Sequence, residues 1–393
     1  MKLAFLCNNM KSTNGVERVL SQRLSLLAES GMYEVYLITY NQYGAPFSFP
    51  ISDKVHYIDL ATRYISRCSF RGLYQYIDRY KSERSFRKVL NRVLETVNPN
   101  IIVCADLHVA DLKAVLSSTV HAFRVVECHC GLSAYFEDIK KFQSILERLR
   151  ERVRKIQLLY VMRKFDKIVV MTEAERRDWY LKEKVVCIPN MLVTLPNHDS
   201  KSLHIQKRVI SVGRYAYQKG YDLLLKSWRL VEKKHPDWSL HIYGSNDGGI
   251  GDYQRLQENV RLFRINNVFL HQATDEIYSC YAKSDIYVMS SRYESFGLVL
   301  IEAMSCGLPV ISFDCKYGPR SVIRNKETGL LVPFGDIKEM ATAICSMIEH
   351  DKERQRMAAN ARQEIQKYNA ENIMPLWYAF YESFVKDCLS RKK

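Results

Sequence analysis

Short apolar runs of roughly four to eight residues recur between longer segments of helical period through most of this 393-residue chain, and that alternation restricts the fold more than anything else. Lys2–Cys7 is an apolar run, Asn8–Gly15 a polar turn, and Val16–Ala28 places Val19, Leu20, Leu24 and Leu27 at helical spacing. Further strands are expected at Tyr33–Tyr40, Ile101–Cys104, Phe123–Glu127, Lys167–Met171 and Val185–Ile188. Strand and helix in strict alternation imply a parallel sheet covered on both faces. At Pro189–His204 the pattern breaks, with Pro189, Asn190, Pro196, Asn197 and Asp199 crowded together. A second series then runs from strand Arg208–Val212 through helix Lys219–Lys234, strand Leu240–Tyr243 and helix Asp252–Arg264 to strand Gly329–Val332, and a helical tail follows from Ile337.

A chain of this length exceeds what one core organises. The expectation is therefore an α/β protein of two Rossmann-like, doubly wound domains, residues 1–192 and 205–372. Their carboxyl sheet edges would face one cleft, with a helix at 373–393 returning toward the first domain. Hydrophobic residues at 47% can fill both cores. No apolar run approaches the length of about 18 residues that a membrane span needs, and Met1–Cys7 lacks the features of a secretion signal, so a cytoplasmic location is expected. The cysteines sit mostly in apolar runs, as Cys7, Cys104, Cys187 and Cys280 do, and read as reduced core residues.

The chemistry concentrates in the second series. Val212-Gly213-Arg214 ends a strand and Gln218-Lys219-Gly220 precedes a helix, so two cations stand at a sheet's carboxyl edge, where they could neutralise a departing diphosphate. Ser290–Ser305 reads SSRYESFGLVLIEAMS. Glu294 is expected in a loop and Ser295 as the helix cap, with a helix over Phe296–Ser305. The amides of Phe296, Gly297 and Leu298 would lie at its mouth and Glu302 further along it. Glu302 stands between Ile301 and Ala303, and burying a carboxylate there without partners would cost several kcal/mol.

This arrangement resembles the retaining glycosyltransferases of family 4, of GT-B architecture, whose signature pairs a Gly-Arg, Lys-Gly segment with two glutamates eight residues apart. Asn14-Gly15-Val16-Glu17-Arg18-Val19 resembles the family's N-terminal glycine loop and Ile188-Pro189-Asn190 its interdomain segment. Asp314–Arg320 with Thr328–Pro333 resembles a subgroup that builds bacterial surface polysaccharides. The resemblance implies that Arg214 and Lys219 hold the phosphates of a nucleotide-diphosphate sugar, UDP foremost. It further implies that Glu302 holds the ribose, that Glu294 holds the transferred sugar, that Gly15 admits the diphosphate and that Asn190 joins the donor site. His129 either orients a sugar hydroxyl or is a satisfied structural histidine. Asn14 stands where the family has a first glycine, and Ser321 where it often has a glutamate. Same-face attack by the acceptor hydroxyl, without an enzymic nucleophile, follows from the resemblance, and the acceptor is expected to be a glycan or a polyprenyl-diphosphate-linked glycan.

No Asp-x-Asp motif is present, so no metal and no cofactor beyond the donor substrate is expected. Cys128-His129-Cys130 is not read as a zinc site, because no second cluster has compatible spacing. Dinucleotide and P-loop fingerprints are absent. A nucleotide-sugar isomerase of the same architecture stays open as an alternative, and a nucleic-acid-binding role lacks a recognised module.

The formal charge is +15, which invites a polyanionic partner. Residues 1–200 hold 30 basic against 21 acidic side chains, with basic stretches at Arg63–Arg92 and Lys140–Lys167. In the second, Phe142, Ile145, Leu146, Leu149, Val153, Ile156, Leu159 and Tyr160 follow a helical period with arginines interleaved. Two readings stand: a helix lying peripherally on an anionic membrane, or an ordinary domain helix with its apolar side on the core.

Overall fold

The structure is a computed structural model and describes residues 1–62, 73–105, 108–129, 144–192, 205–246 and 252–391. Cys130, Phe142, the linker from residue 193 to 204, and the basic positions 63–71 and 140–141 lie outside the described residues. The chain divides into two compact units, one of Met1–Pro189 with Met374–Lys393 and one of Asn190–Ile373.

Unit 1 is built on seven parallel strands, β1 (Lys2–Cys7), β2 (Glu34–Thr39), β3 (His56–Asp59), β4 (Ile101–Cys104), β5 (Phe123–Cys128), β6 (Lys167–Val170) and β7 (Val185–Cys187). Their order is β3-β2-β1-β4-β5-β6-β7, so the chain turns from one side of β1 to the other and leaves a crevice at the carboxyl ends of β1 and β4. Helices α1 (Gly15–Glu29), α2 (Leu73–Val97), α3 (Val109–Leu116), α4 (Ile145–Met162) and α5 (Glu173–Asp178) connect them. Runs such as IIVC and KIVV are buried almost throughout, as strands covered on both faces must be. The short strand β3 is absent from the sequence expectation. Its HYID has no apolar run to announce it, and it forms the sheet edge through pairing with β2 and a ring stack of His56 on Tyr36.

Unit 2 repeats the plan with six parallel strands, β8 (Arg208–Val212), β9 (Ser239–Gly244), β10 (Val268–Gln272), β11 (Ile286–Met289), β12 (Val310–Phe313) and β13 (Gly329–Val332), in the order β10-β9-β8-β11-β12-β13. The helices are α6 (Tyr221–Lys234), α7 (Asp252–Phe263), α8 (Ile277–Ala282), α9 (Leu298–Ser305), α10 (Gly318–Val322), α11 (Ile337–Glu349) and α12 (Asp351–Glu364). The amphipathic α6 buries Leu224, Leu225, Trp228 and Val231 against the sheet. Here β8 and β11 are neighbours, with Val209 opposite Ile286, and the crevice lies at their carboxyl ends. The last helix, α13 (Ala370–Arg391), carries Trp377, Tyr381 and Phe384 into the core of unit 1. Two parallel sheets layered with helices, each ordered as in a dinucleotide fold, make the α/β class expected from the alternation.

An imidazole pair on the outer strands of unit 2 makes its stability depend on pH. His241 Nδ1 lies 2.9 Å from His271 Nε2, its Nε2 lies 3.2 Å from the Ser239 hydroxyl, and Arg208 adds a repelling charge. Burial, then Arg208 and His271, hold His241 down at about 4. Unfolded, the ring takes its proton near 6.5, about its ordinary value, so stability is full above that pH and is lost as pH falls toward 4. The melting temperature should therefore drop between pH 6.5 and 4, with a shallower slope in His241→Phe. Equal slopes in the two proteins would refute this account.

Candidate active site

The crevice of unit 2 is assembled from the loops after β8 and β11. After β8 the chain passes Gly213 and Arg214 into a 3₁₀ turn at Tyr217–Lys219, and Gly220 then starts α6 in the left-handed region at φ 64°. Gly220 has a second reason to be glycine: a Cβ there would stand 2.1 Å from the Ser290 carbonyl oxygen. The loop after β11 is thus drawn against the loop after β8. Ser290 Oγ donates to the Lys219 carbonyl at 2.8 Å, the Arg292 amide to the Gln218 carbonyl at 2.7 Å, and Gln218 Nε2 to the Tyr293 carbonyl at 3.1 Å. Arg292 reinforces the join with a two-nitrogen ion pair to Asp222, at 2.9 and 2.7 Å, and stacks over Tyr217 with its guanidinium carbon 4.0 Å from the ring centre.

These contacts bring Lys219 to Glu294, Nζ to Oε1, at 2.7 Å. Ser291 Oγ donates to the same oxygen at 2.8 Å. Both charges are largely enclosed, at 14% and 9% side-chain exposure, so their attraction is less screened than at a free surface. An ammonium has three donors and a carboxylate about four acceptor sites, which leaves each able to meet a ligand while paired. Arg214 is half-buried nearby in sequence. It donates from Nη2 to Gln218 Oε1 at a long 3.4 Å, and no ion pair occupies it among the described residues. Burial, and then Glu294, push the Cys315 thiol well above its usual range, so it stays protonated beside the site.

At the start of α9 the structure departs from the sequence expectation. Ser295 is not the cap and the helix does not begin at Phe296. Gly297 is the N-cap in the left-handed region, at φ 88° and ψ 62°, with no side-chain cap bond, and α9 starts at Leu298. The reason lies in tertiary pairing. Glu294 bridges to Tyr317, the Gly318 amide donates to the Glu294 carbonyl at 3.1 Å, and Phe296 packs edge-on to Tyr368. Those contacts keep 294–296 out of the helix, which begins only after Gly297. The first amides of α9, Leu298 included, have no intrahelical acceptor and keep the positive end of the dipole at the crevice.

Glu302 is buried on α9, where the Tyr281 hydroxyl reaches its Oε2 at 3.4 Å. Burial and then Glu302 push that hydroxyl well above the usual tyrosine range, so it remains a donor. A protein partner thus meets part of the need that sequence reasoning assigned wholly to a ligand. Asn190 is buried at the start of unit 2, without a hydrogen bond to Lys219 or Glu294 among the described residues. Arg292, Asp222 and Tyr281 escaped sequence reasoning, and the signal available for Arg292 was its place inside the SSRYES segment.

In unit 1, Gly15 opens α1 after β1 and is exposed. His129 follows β5, its ring 5% exposed, with Nε2 2.8 Å from Glu127 Oε2. Glu127 is fully enclosed and also accepts from Arg23 Nη2 through both oxygens at 2.8 Å. Burial alone would raise the Glu127 carboxyl, but Arg23 and His129 outweigh it and hold it below the usual range. The Arg23 guanidinium carbon lies 4.0 Å from the Trp377 ring centre, while its Nε finds no acceptor among the described residues.

Residues 197–364 match the family described as Glycosyl transferases group 1. An uncharacterized glycosyltransferase of Haemophilus influenzae is 27% identical over 380 residues, covering 96% of this chain and 98% of that protein. The amylovoran biosynthesis glycosyltransferase AmsD of Erwinia amylovora is 26% identical over 382 residues, again covering 96% and 98%. Among solved structures, a mutant of Staphylococcus aureus TarM in complex with Fondaparinux, alpha-GlcNAc-glycerol and UDP superposes with a TM-score of 0.74 at 17% identity, covering 96% of this chain and 99% of that one. Sequence and fold together support a GT-B glycosyltransferase. The matched segment contains the whole Lys219–Glu294 crevice, so the loops described above lie within the part of the chain that carries the likeness.

Proposed function

We propose that this chain is a retaining glycosyltransferase of family 4. In this reading it moves a sugar from a nucleotide-diphosphate sugar, UDP foremost, to a glycan or lipid-linked glycan acceptor in bacterial surface polysaccharide assembly. The observation that carries it is the enclosed Lys219–Glu294 pair, with Arg214 in the same loop, at the carboxyl ends of β8 and β11 beside the start of α9. Arg214, Lys219 and the amides of Phe296, Gly297 and Leu298 take the diphosphate, Glu294 the transferred sugar and Glu302, aided by Tyr281, the ribose hydroxyls. In unit 1, Gly15 allows the diphosphate close to the backbone, and His129, held by Glu127, serves the sugar. Asn190 completes the donor set.

The bond from the anomeric carbon to the β-phosphate oxygen breaks as the acceptor oxygen forms its bond on the same face. The acceptor proton passes to the departing phosphate, so no enzymic nucleophile is used. Fixed cations and the helix start carry the charge that develops, and the reading therefore needs no metal. TarM, which shares the fold, was crystallised with UDP, and AmsD acts in amylovoran biosynthesis; both are consistent with this donor and product class. The same reading places the protein in the cytoplasm, peripheral to the inner face of the membrane that holds a polyprenyl-diphosphate-linked acceptor. No helix among the described residues is long and apolar enough to cross a membrane.

A thermal-shift panel of nucleotide sugars tests the reading, since a ligand bound only by the native state raises stability with its concentration over Kd. One UDP-sugar should raise the melting temperature, with and without a chelator, and Arg214→Ala and Glu302→Ala should lose most of that rise. A panel in which no nucleotide sugar shifts the protein, or full shifts in both variants, would refute it.

A further inference from the structure

Helix α4 carries two apolar faces. The side toward the core holds Leu158, Val161 and Met162, all buried. Ile145, Leu149, Val153, Ile156 and Tyr160 are instead between 47% and 83% exposed. At about 100° per residue these five fall within an arc of about 80° whose centre points nearly opposite to the buried set. They form one ridge along about 22 Å of helix, at about 1.5 Å per residue, facing directly away from the domain.

Cations border the ridge on both sides. Arg148 and Arg152 lie along one edge and Arg150 and Lys164 along the other, all exposed. Glu147 falls about 160° from the ridge centre by the same period. Tyr160 closes the ridge with Arg163 at 5.2 Å and Lys164 at 4.7 Å from its ring centre, an aromatic with an apolar body and a polar tip set among cations. A protein partner would meet the apolar ridge equally well. A flanking row of cations on both edges, with Glu147 turned away, matches an anionic lipid surface instead.

We infer that the outward ridge of α4 is a membrane-docking surface, in which Ile145, Leu149, Val153, Ile156 and Tyr160 enter the headgroup boundary of anionic lipid while the flanking arginines meet lipid phosphates. The inference rests on the reading of a lipid-linked acceptor, because it gives the enzyme a way to work at the surface where such an acceptor lies. The core-facing side of the same helix is ordinary domain packing, so the two sequence readings of this segment describe its two faces.

Co-sedimentation of the full chain with phosphatidylglycerol/phosphatidylcholine vesicles tests it. The protein should bind these vesicles and not pure phosphatidylcholine. Leu149→Asp with Ile156→Asp should weaken binding by about tenfold or more, from the lost apolar burial. Arg148→Ala with Arg152→Ala should remove mainly the part that salt suppresses. All variants should keep the donor-induced thermal shift, which separates failure of docking from failure of the donor site. Vesicle binding unchanged by the ridge variant overturns the inference, as does a wild-type dimer in light scattering that the ridge variant makes monomeric while vesicles bind neither.

Discussion

Replacing Lys219 by alanine is expected to lower kcat/KM by about 10²- to 10³-fold, roughly 2.7–4 kcal/mol of transition-state stabilisation, the scale of removing one preorganised charge-stabilising donor. Two effects act together. The developing diphosphate loses a fixed cation, and Glu294, at 9% side-chain exposure, loses its ion partner and keeps Ser291. Arginine should not rescue, because the space around Lys219 is tight: a Cβ on Gly213 would already stand 2.9 Å from Lys219 Cε. Glu294→Gln should also lose activity, and the double variant should fall little below the worse single one, as groups that act as a unit do. Steady-state kinetics with the donor found by the thermal-shift panel checks this. Wild-type kcat/KM in Lys219→Ala, or fully additive losses, would remove the pair from the site.

The second large effect is expected in unit 1. Arg23 and Glu127 are 1% and 0% exposed, and removing one partner of such a pair leaves a buried charge uncompensated, at about 3–5 kcal/mol. Arg23→Met should therefore lower the melting temperature by on the order of 10 °C, with loss of its stacking on Trp377 included. Joining it to Glu127→Met should restore much of the stability, since two apolar side chains of similar volume replace two charges. His129 would still lack its carboxylate in the double variant. If Glu127 positions His129 for the sugar, activity stays low while stability returns. Recovery of both together would make the network purely structural.

The layered architecture was legible in the amino-acid order because buried parallel strands leave a local mark. IIVC and IYVM are continuous apolar runs, KIVV and VISF each carry a single polar residue, and α6 shows its buried stripe in its spacing. The edge strand β3 left no such mark, since neither face of HYID is fully buried. The cap of α9 was misread because Ser295 has the right chemistry for capping, but pairing of Glu294 with Tyr317 keeps the chain out of the helix until Gly297.

Residue types near the site could be listed from the sequence, but not who touches whom. Lys219 and Glu294 lie 75 positions apart, and Arg23 and Glu127 lie 104 apart. Each pair meets only because strand order puts β8 beside β11, or because α1 packs on the sheet that contains β5. Likewise α4 announced itself as amphipathic and basic, while its register against the core decided which apolar residues are turned outward. Local periodicity determined which segments become strands and helices, because burial of a face repeats with the backbone period. Contacts between distant segments were decided by the packed tertiary structure, since strand order and helix rotation come from the sum of all buried area and are encoded in no short stretch.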